Sequence, residues 1–194
     1  MITSIKSSFL EYKMTILRNK KTSNSLFRQT MNEASYLIAA EVLKHLKYKK
    51  ITVQTPLIKT KGVDLAQQVI LVPILRAGLG LLEGFVKFLP DAEKGHIGLY
   101  RNEQTYEPVE YLCKLPKTKN KTVLVLDPML ATGNSSIAAI NLIINKNVNI
   151  KDIFLVSLLA APEGIKNLQK KHKSLHIFTC KIDAKFNKNK FIVP

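Results

Sequence analysis

The chain has 194 residues, 46% of them hydrophobic and 23% charged; this is ordinary globular composition, and we expect one domain over residues 1–194. The net charge of +16 suggests nucleic-acid binding as a hypothesis. However, the lysines are scattered and aromatic residues make up only 7%, so we expect that the protein has no nucleic-acid partner. The two cysteines lack CxxC spacing, the N-terminus lacks a signal-peptide core and the apolar runs are too short to cross a bilayer, so we expect a reduced, cytoplasmic protein without membrane contact.

The first half of the chain alternates helical and extended patterns. Apolar residues at helical spacing predict a long helix within residues 23–48, capped by Ser23, Asn24 or Ser25. The elements that we predict after it are a short strand at 51–55, a buried strand at 69–73, a helix within 79–89 and a strand at 96–100.

The second half continues the alternation. Residues 101–116, with Pro108 near the turn, have the polar pattern of an exposed hairpin. The elements that follow are a buried strand at 122–127, a helix at 135–145, a strand at 152–160, a helix at 162–171 that starts at Pro162, and a strand at 175–180. Alternating buried strands and helices predict an α/β fold around a mainly parallel sheet, with the chemistry at the carboxyl ends of the strands.

One strand-to-helix loop, "LVPILRAGLGLLEG", carries a cation. Its glycines follow GxGxxxG rather than GxGxxG, so a dinucleotide site is excluded. Arg76 ends the strand and is followed by Ala77 and Gly78, which let backbone amides come close to a ligand. A guanidinium beside exposed amides suits a diphosphate, although a surface ion pair of Arg76 is the alternative.

A second loop, "LDPMLATGNSS", pairs an acid with hydroxyl and amide donors. Asp127 ends a buried strand, and the turn that follows it feeds a helix, whose amino end favours phosphate. Thr132, Ser135 and Ser136 add hydroxyl donors, and Asp127 can accept hydrogen bonds from sugar hydroxyls. Together these groups suggest a ribose 5-phosphate site; the alternative is a well-capped helix with a loop acid.

The histidines give no support for a metal site. His45, His96, His172 and His176 share no helical face with a carboxylate, so we expect solvated side chains. No GxSxG motif is present, and neither cysteine has an evident base beside it, which excludes the usual hydrolase triads.

With both loops in view, the chain resembles the uracil phosphoribosyltransferases, a branch of the type I phosphoribosyltransferases. "VPILRAGLG" and "LDPMLATGNS" are similar to that family's signatures, as are "GLYRNEQTYEPVEYLCKLP", "LVSLLAAPEGI" and "IDAKFNKNKFIVP". The resemblance implies a type I fold with a small hood and a β-arm that packs in a homodimer or larger oligomer. It also implies conversion of uracil and phosphoribosyl diphosphate (PRPP) to UMP and diphosphate in pyrimidine salvage.

The resemblance also assigns roles to residues of this chain. Arg76 would contact the diphosphate, and Arg101 in "YRNE" would reach it from the next loop. The ribose 5-phosphate would lie on Asp127, Pro128, Met129, Leu130, Ala131, Thr132, Gly133, Asn134 and Ser135, with Asp127 at the ribose hydroxyls. Asp127 and Arg101 would be the catalytic residues, and the backbone of Ile192 would contact uracil. Mg²⁺ would be bound through PRPP and water without protein ligands, and GTP would be an activator.

Two departures from the family pattern affect these expectations. Asn134 replaces the second glycine of ATGGS, and we expect asparagine to tolerate the left-handed backbone that a phosphate turn needs. The family continues past "YIVP" with "GLGDAGD", a segment that recognises the pyrimidine, whereas this sequence stops at Pro194. Either the sequence is cut short or base specificity is lost or weakened, which leaves a PRPP-binding protein as the alternative function. A basic RNA-binding protein, motivated by the charge alone, is a third hypothesis.

Overall fold

The structure is a computed structural model that describes residues 1–102, 107–186 and 192–194. Its α-helices are α1 (Ser8–Arg18), α2 (Asn24–Leu43), α3 (Leu79–Phe88), α4 (Asn134–Ile144) and α5 (Pro162–Lys171), with a short 3-10 helix at Ile150–Asp152. Its strands are β1 (Ile2–Ser4), β2 (Tyr48–Gln54), β3 (Lys59–Leu65), β4 (Val69–Leu75), β5 (Glu93–Lys94), β6 (His96–Arg101), β7 (Pro108–Lys114), β8 (Thr122–Leu126), β9 (Met129–Leu130), β10 (Ile153–Ala160), β11 (His176–Ile182), β12 (Lys185–Phe186) and β13 (Ile192–Val193).

One mainly parallel sheet organises the described part of the chain. Its strand order is β1-β11-β10-β8-β4-β6-β7, with β5 on β4 and β9 on β10. The antiparallel pair within it is β6 and β7. The strand predicted at 96–100 is thus the first arm of the hairpin, which begins before residue 101, where the sequence pattern had placed its start. Residues 103–106, which join β6 to β7 in the sequence, lie outside the described residues. Because β4 and β8 are neighbours in parallel, the loops that leave their carboxyl ends meet at the same edge of the sheet.

Helices cover both faces of this sheet, as the buried strand patterns predicted. Alternate residues of the central strands enter two apolar clusters: Leu71 packs with the residues of α1, α2 and α3, whereas Ile70 packs with those of α4 and α5. All five residues of β8 and all eight of β10 are buried. The α/β class and the parallel sheet are therefore confirmed.

Two features of the fold lie outside the pattern-based assignment. The chain begins with β1 and α1, which the apolar spacing did not predict, and β1 extends the sheet by pairing with β11. The β2 and β3 strands form a separate antiparallel ribbon, which corresponds to the arm that the resemblance implied. Leu57 and Ile58, in the connection between these two strands, are 89% and 68% exposed, and Val63 of β3 is 68% exposed.

The expectation that the histidines are solvated is wrong for His176. Its ring is buried between the ends of β1, β10 and β11, where it stacks on Phe178 and hydrogen-bonds Thr3 Oγ1 at 2.8 Å. Desolvation, with smaller contributions from His45 and the N-terminal ammonium group, lowers the pKa of His176 to about 4, so the ring is neutral near pH 7. No group of three or more His, Cys, Asp or Glu side chains among the described residues could hold a metal ion. Within the same ranges, none of the helices combines the length and apolar character needed to cross a bilayer.

Candidate active site

A cleft at the carboxyl edge of the sheet brings the two loops together. Its cavity volume is about 260 Å³. The described residues that line it come from the β4 end (Ile74, Leu75, Arg76, Ala77), from the β6–β7 hairpin (Leu99, Pro108) and from the β8–α4 connection (Asp127, Met129, Ala131, Thr132, Gly133, Asn134, Ser135, Ser136). Most of the residues predicted for PRPP therefore surround one cavity.

The backbone of the first loop packs directly on the second. Gly78 closes a turn by donating its N–H to Ile74 O at 2.8 Å. A Cβ at Gly78 would lie 2.4 Å from Leu126 O, the carbonyl that precedes Asp127. Only glycine allows so close an approach, which explains the small residues after Arg76. The Leu75–Arg76 peptide bond is cis.

Arg76 projects from this loop with its side chain exposed at the cleft. Within residues 1–102, 107–186 and 192–194, no carboxylate forms an ion pair with it, in contrast to the alternative of a surface salt bridge. Its guanidinium donors are thus available to an anion in the cleft.

The turn before α4 presents a row of open amides. Gly133 has φ of +86°, and α4 begins at Asn134, with the first backbone bond running from Ile137 N–H to Gly133 O at 2.8 Å. In the part of the chain that the structure describes, the N–H groups of residues 132–136 donate to no protein acceptor. They lie at the positive end of the helix dipole, a geometry suited to a phosphate.

This geometry corrects the expectation for Asn134. The left-handed residue of the turn is Gly133, and Asn134 has no positive φ because it is already the first residue of the helix. Asparagine at this position therefore meets no demand for left-handed backbone, and the turn forms without a second glycine.

The rest of the 127–135 loop is held by backbone bonds to β10 and to Ala161, the residue before α5. Pro128 O accepts from Leu158 N–H and Leu159 N–H at 3.1 and 3.0 Å, and Leu130 O accepts from Ala161 N–H at 2.8 Å. The side chain of Leu130 is buried in the core, whereas Met129 is 47% exposed and lines the cleft. That Pro128 and Leu130 contact PRPP stays a prediction. In the structure, the backbone carbonyls of these two residues fix the loop.

Asp127 is held by Ser136, whose hydroxyl the sequence had suggested as a phosphate donor. Ser136 Oγ, buried in the first turn of α4, donates to Asp127 Oδ2 at 2.7 Å. Burial raises the pKa of the Asp127 carboxyl, while the hydrogen bonds from Ser136 and from the Met129 backbone act in the opposite direction. The Ser136 hydroxyl therefore serves the carboxylate, whereas the sequence had suggested a phosphate contact. The nine-residue separation carries no periodic signal that would have revealed this pair.

Two residues predicted for the site, Ile192 and Arg101, are not among the described residues that line this cleft. Ile192 is in β13, half-buried against the core, and it is not among the described residues that line the cavity. The backbone of Arg101 pairs with Pro108 at the end of β6, and its side chain lies outside what the structure describes. Leu99 and Pro108 also line the cleft, although the sequence did not predict them there. Their place depends on β6 lying beside β4, and only the strand order of the folded sheet shows this adjacency.

Comparison with known proteins places this chain in a family. The family model for uracil phosphoribosyltransferase matches residues 4–194. A uracil phosphoribosyltransferase of Finegoldia magna is 46% identical over 195 residues, covering 100% of this chain and 92% of that protein. The corresponding protein of Streptococcus thermophilus is 43% identical, covering 98% of this chain and 91% of its own length.

Solved structures agree with this relationship. A protein from Aquifex aeolicus, 34% identical, superposes with a TM-score of 0.93 over 100% of this chain and 93% of its own. A hypoxanthine phosphoribosyltransferase from Staphylococcus aureus, 15% identical, matches at a TM-score of 0.53 over 82% of this chain and 76% of its own, which supports the fold alone. On the near full-length family match and these identities, the chain belongs to the uracil phosphoribosyltransferase family.

Proposed function

We propose that the protein transfers the 5-phosphoribosyl group of PRPP to uracil, giving UMP and diphosphate. The observation that carries this proposal is the cleft itself, which presents Arg76, the Asp127 carboxyl and the open amides of residues 132–136 to one ligand. The Arg76 guanidinium suits the diphosphate of PRPP, the Asp127 carboxyl suits the ribose hydroxyls, and the amides of residues 132–136 suit the 5-phosphate. The family match supplies uracil as the acceptor base.

The chemistry asks mainly for orientation and charge stabilisation. Uracil N1 forms the new bond to the anomeric carbon, the bond from that carbon to the diphosphate oxygen breaks with its electron pair on the oxygen, and the N1 proton passes to water. Arg76, which lines the cleft, would stabilise charge on the departing diphosphate. The amides of 132–136 would hold the 5-phosphate and Asp127 the ribose hydroxyls, so the anomeric carbon is fixed for attack.

Mg²⁺ fits this site as an ion that PRPP carries. Asp127 is the one carboxylate among the described residues that line the cleft, too few ligands for a protein cage. Bound to the diphosphate and water, Mg²⁺ would neutralise charge on the leaving group. GTP activation is a prediction of the family resemblance, tested by adding GTP to the assay below.

We also propose that the enzyme is a homodimer, that it is cytoplasmic and that it does not bind nucleic acid. The exposed Leu57, Ile58 and Val63 of the β2–β3 ribbon support pairing of two copies through this arm. Both cysteines are free, which agrees with a reducing compartment. Sedimentation equilibrium tests the dimer, and RNA binding at physiological ionic strength would contradict the absence of a nucleic-acid partner.

The direct test is an assay of base-dependent product formation. Purified protein, PRPP and Mg²⁺ should form UMP and diphosphate in equal amounts when uracil is added, and no nucleotide with hypoxanthine or adenine. PRPP binding in calorimetry without nucleotide formation from uracil would contradict the transferase activity.

Replacing Arg76 tests the diphosphate contact. Arg76→Gln should lower kcat/KM for PRPP by about 10- to 150-fold, since hydrogen bonds to charged groups contribute about 1.5–3 kcal/mol. Arg28→Gln, an exposed arginine of α2 away from the cleft, is the matched control and should leave kcat/KM unchanged. Equal effects of the two substitutions would contradict a role for Arg76 at the diphosphate.

Replacing Ser136 tests the assignment of its hydroxyl to Asp127. The Ser136 hydrogen bond lowers the pKa of Asp127, so in Ser136→Ala the pKa rises further. If ionised Asp127 is the active form, the acid limb of the kcat/KM profile moves to higher pH, and activity recovers as pH rises beyond it. Ser135→Ala, an exposed neighbour without a hydrogen bond to Asp127, should not move the limb. Identical limbs for wild type and Ser136→Ala would exclude this role.

A further inference from the structure

A charged pair joins the N-terminal helix to the base of the β12–β13 ribbon. Arg18, the last residue of α1, pairs through Nη2 with Asp183 Oδ2, a residue 165 positions later in the chain. The Asp183 side chain is 7% exposed and that of Arg18 is 33% exposed. Asp183 follows β11 and precedes β12, the strand that pairs with Ile192 and Val193. Neither residue lies in the PRPP cleft.

Backbone bonds connect Asp183 to the loop of residues 127–135, called the phosphate loop below. Asp183 N–H donates to Ala160 O at 3.0 Å, at the carboxyl end of β10. The next residue, Ala161, donates its N–H to Leu130 O at 2.8 Å, within the 127–135 loop. The base of the ribbon, the end of β10 and the phosphate loop are thus linked by successive hydrogen bonds. A displacement of Asp183 would change the placement of the ribbon relative to that loop.

The buried carboxylate makes this linkage depend on Arg18. A carboxylate with 7% exposure requires a charged partner, because an unpaired buried charge is strongly unfavourable. Without the guanidinium, Asp183 lowers its free energy by moving toward water, which also moves the residues that start β12. The Arg18–Asp183 pair is therefore a second restraint on the base of the ribbon, in addition to the backbone bond of Asp183 to Ala160.

We propose that Arg18 and Asp183 are positioning residues for the uracil site, which hold the β12–β13 ribbon, and with it Ile192, in register with the phosphate loop. The inference rests on the proposed uracil transfer and adds to it a determinant of base binding that is not among the described residues lining the cleft. Neither side chain needs to touch the substrate for this role.

A substitution series on α1 tests the proposal by separating the two KM values. Arg18→Met should raise KM for uracil by about tenfold or more and leave KM for PRPP within about twofold, because small misplacements of a contacting backbone are costly. Arg18→Lys, which keeps the charge, should restore part of the uracil affinity. Glu11→Gln is the matched control, since Glu11 joins the same helix to β11 through Lys181 at 3.5 Å with both side chains largely exposed. It should change neither constant.

Two outcomes would overturn the proposal. One is an unchanged KM for uracil in folded Arg18→Met; the other is a parallel rise of both KM values with lower thermal stability, which indicates a purely structural pair. If the wild-type protein forms no UMP, the proposed function fails, and hydrogen exchange at residues 183–186 and 192–193 decides the positioning role by itself. Exchange there should be faster in Arg18→Met than in Glu11→Gln; equal rates would contradict it.

Discussion

Asp127→Asn should lower kcat/KM by about 10- to 150-fold, the range expected when a charged hydrogen-bond acceptor of about 1.5–3 kcal/mol is lost. The carboxyl lies in the cleft beside the amide turn, fixed by Ser136 at 2.7 Å. Asparagine keeps the size of the side chain and one acceptor oxygen for Ser136, but it removes the negative charge offered to the ribose hydroxyls and to the developing cationic centre. Steady-state kinetics with uracil and PRPP measure the loss.

The same substitution should not reduce the free energy of unfolding. Burial raises the pKa of Asp127 in the folded protein above its ordinary value, so the folded state favours the protonated acid. The contribution to stability is therefore complete below the ordinary pKa and is lost as pH rises through the raised folded value. The asparagine side chain has no charge to bury, so near pH 7 the variant should unfold at the same temperature as wild type or higher.

Thermal unfolding at pH 4 and pH 7 checks this expectation. Asp91→Asn, an exposed carboxylate outside the cleft lining, is the control and should change neither kinetics nor stability. If Asp127→Asn lost activity and stability to the same extent, Asp127 would be a structural residue of the loop, and its assignment to the ribose would be wrong.

Gly133→Ala should damage both stability and PRPP binding. Gly133 has φ of +86°, and a Cβ there would lie 2.9 Å from Gly164 O of α5. A left-handed non-glycine residue costs about 1–3 kcal/mol, which corresponds to a fall of about 2–4 °C in Tm per kcal/mol for a chain of this size. Relief of the contact displaces the amides of 132–136, so KM for PRPP should rise as well.

Gly62→Ala provides the matched glycine control. Gly62 lies in β3 without a positive φ, and a Cβ there would come no closer than 3.8 Å to Ile51. Alanine in a strand is favoured over glycine, so Tm should stay unchanged or rise slightly. A Gly133→Ala protein with wild-type Tm and wild-type KM for PRPP would show that the turn does not depend on left-handed backbone at this position.

Much of this fold could be predicted because its strands and caps are local signals. Continuous apolar runs marked β8 and β10, where every residue proved buried, and Ser23 caps α2 as expected by accepting from Leu26 N–H at 3.2 Å. The same local signals identified Arg76 and the Asp127 loop, because cations, acids and small residues at strand ends are visible in one sequence. The sequence also contained the resemblance that named the family.

The remaining features depend on contacts between distant segments. The buried position of His176 arises from packing against β1 and β10, neither of which its own neighbourhood in sequence reveals. The Ser136 bond to Asp127 depends on how the turn folds back, and the share of the cleft contributed by Leu99 and Pro108 depends on strand order. Short β1 lacks a pattern of its own and forms by pairing with β11.

A crystal structure of the protein with UMP tests the central claim most directly. We expect the 5-phosphate on the amides of residues 132–136, the ribose hydroxyls at Asp127 and the base directed toward the backbone of Ile192. A phosphate bound away from the α4 amino end, or ribose hydroxyls without contact to Asp127, would contradict the account.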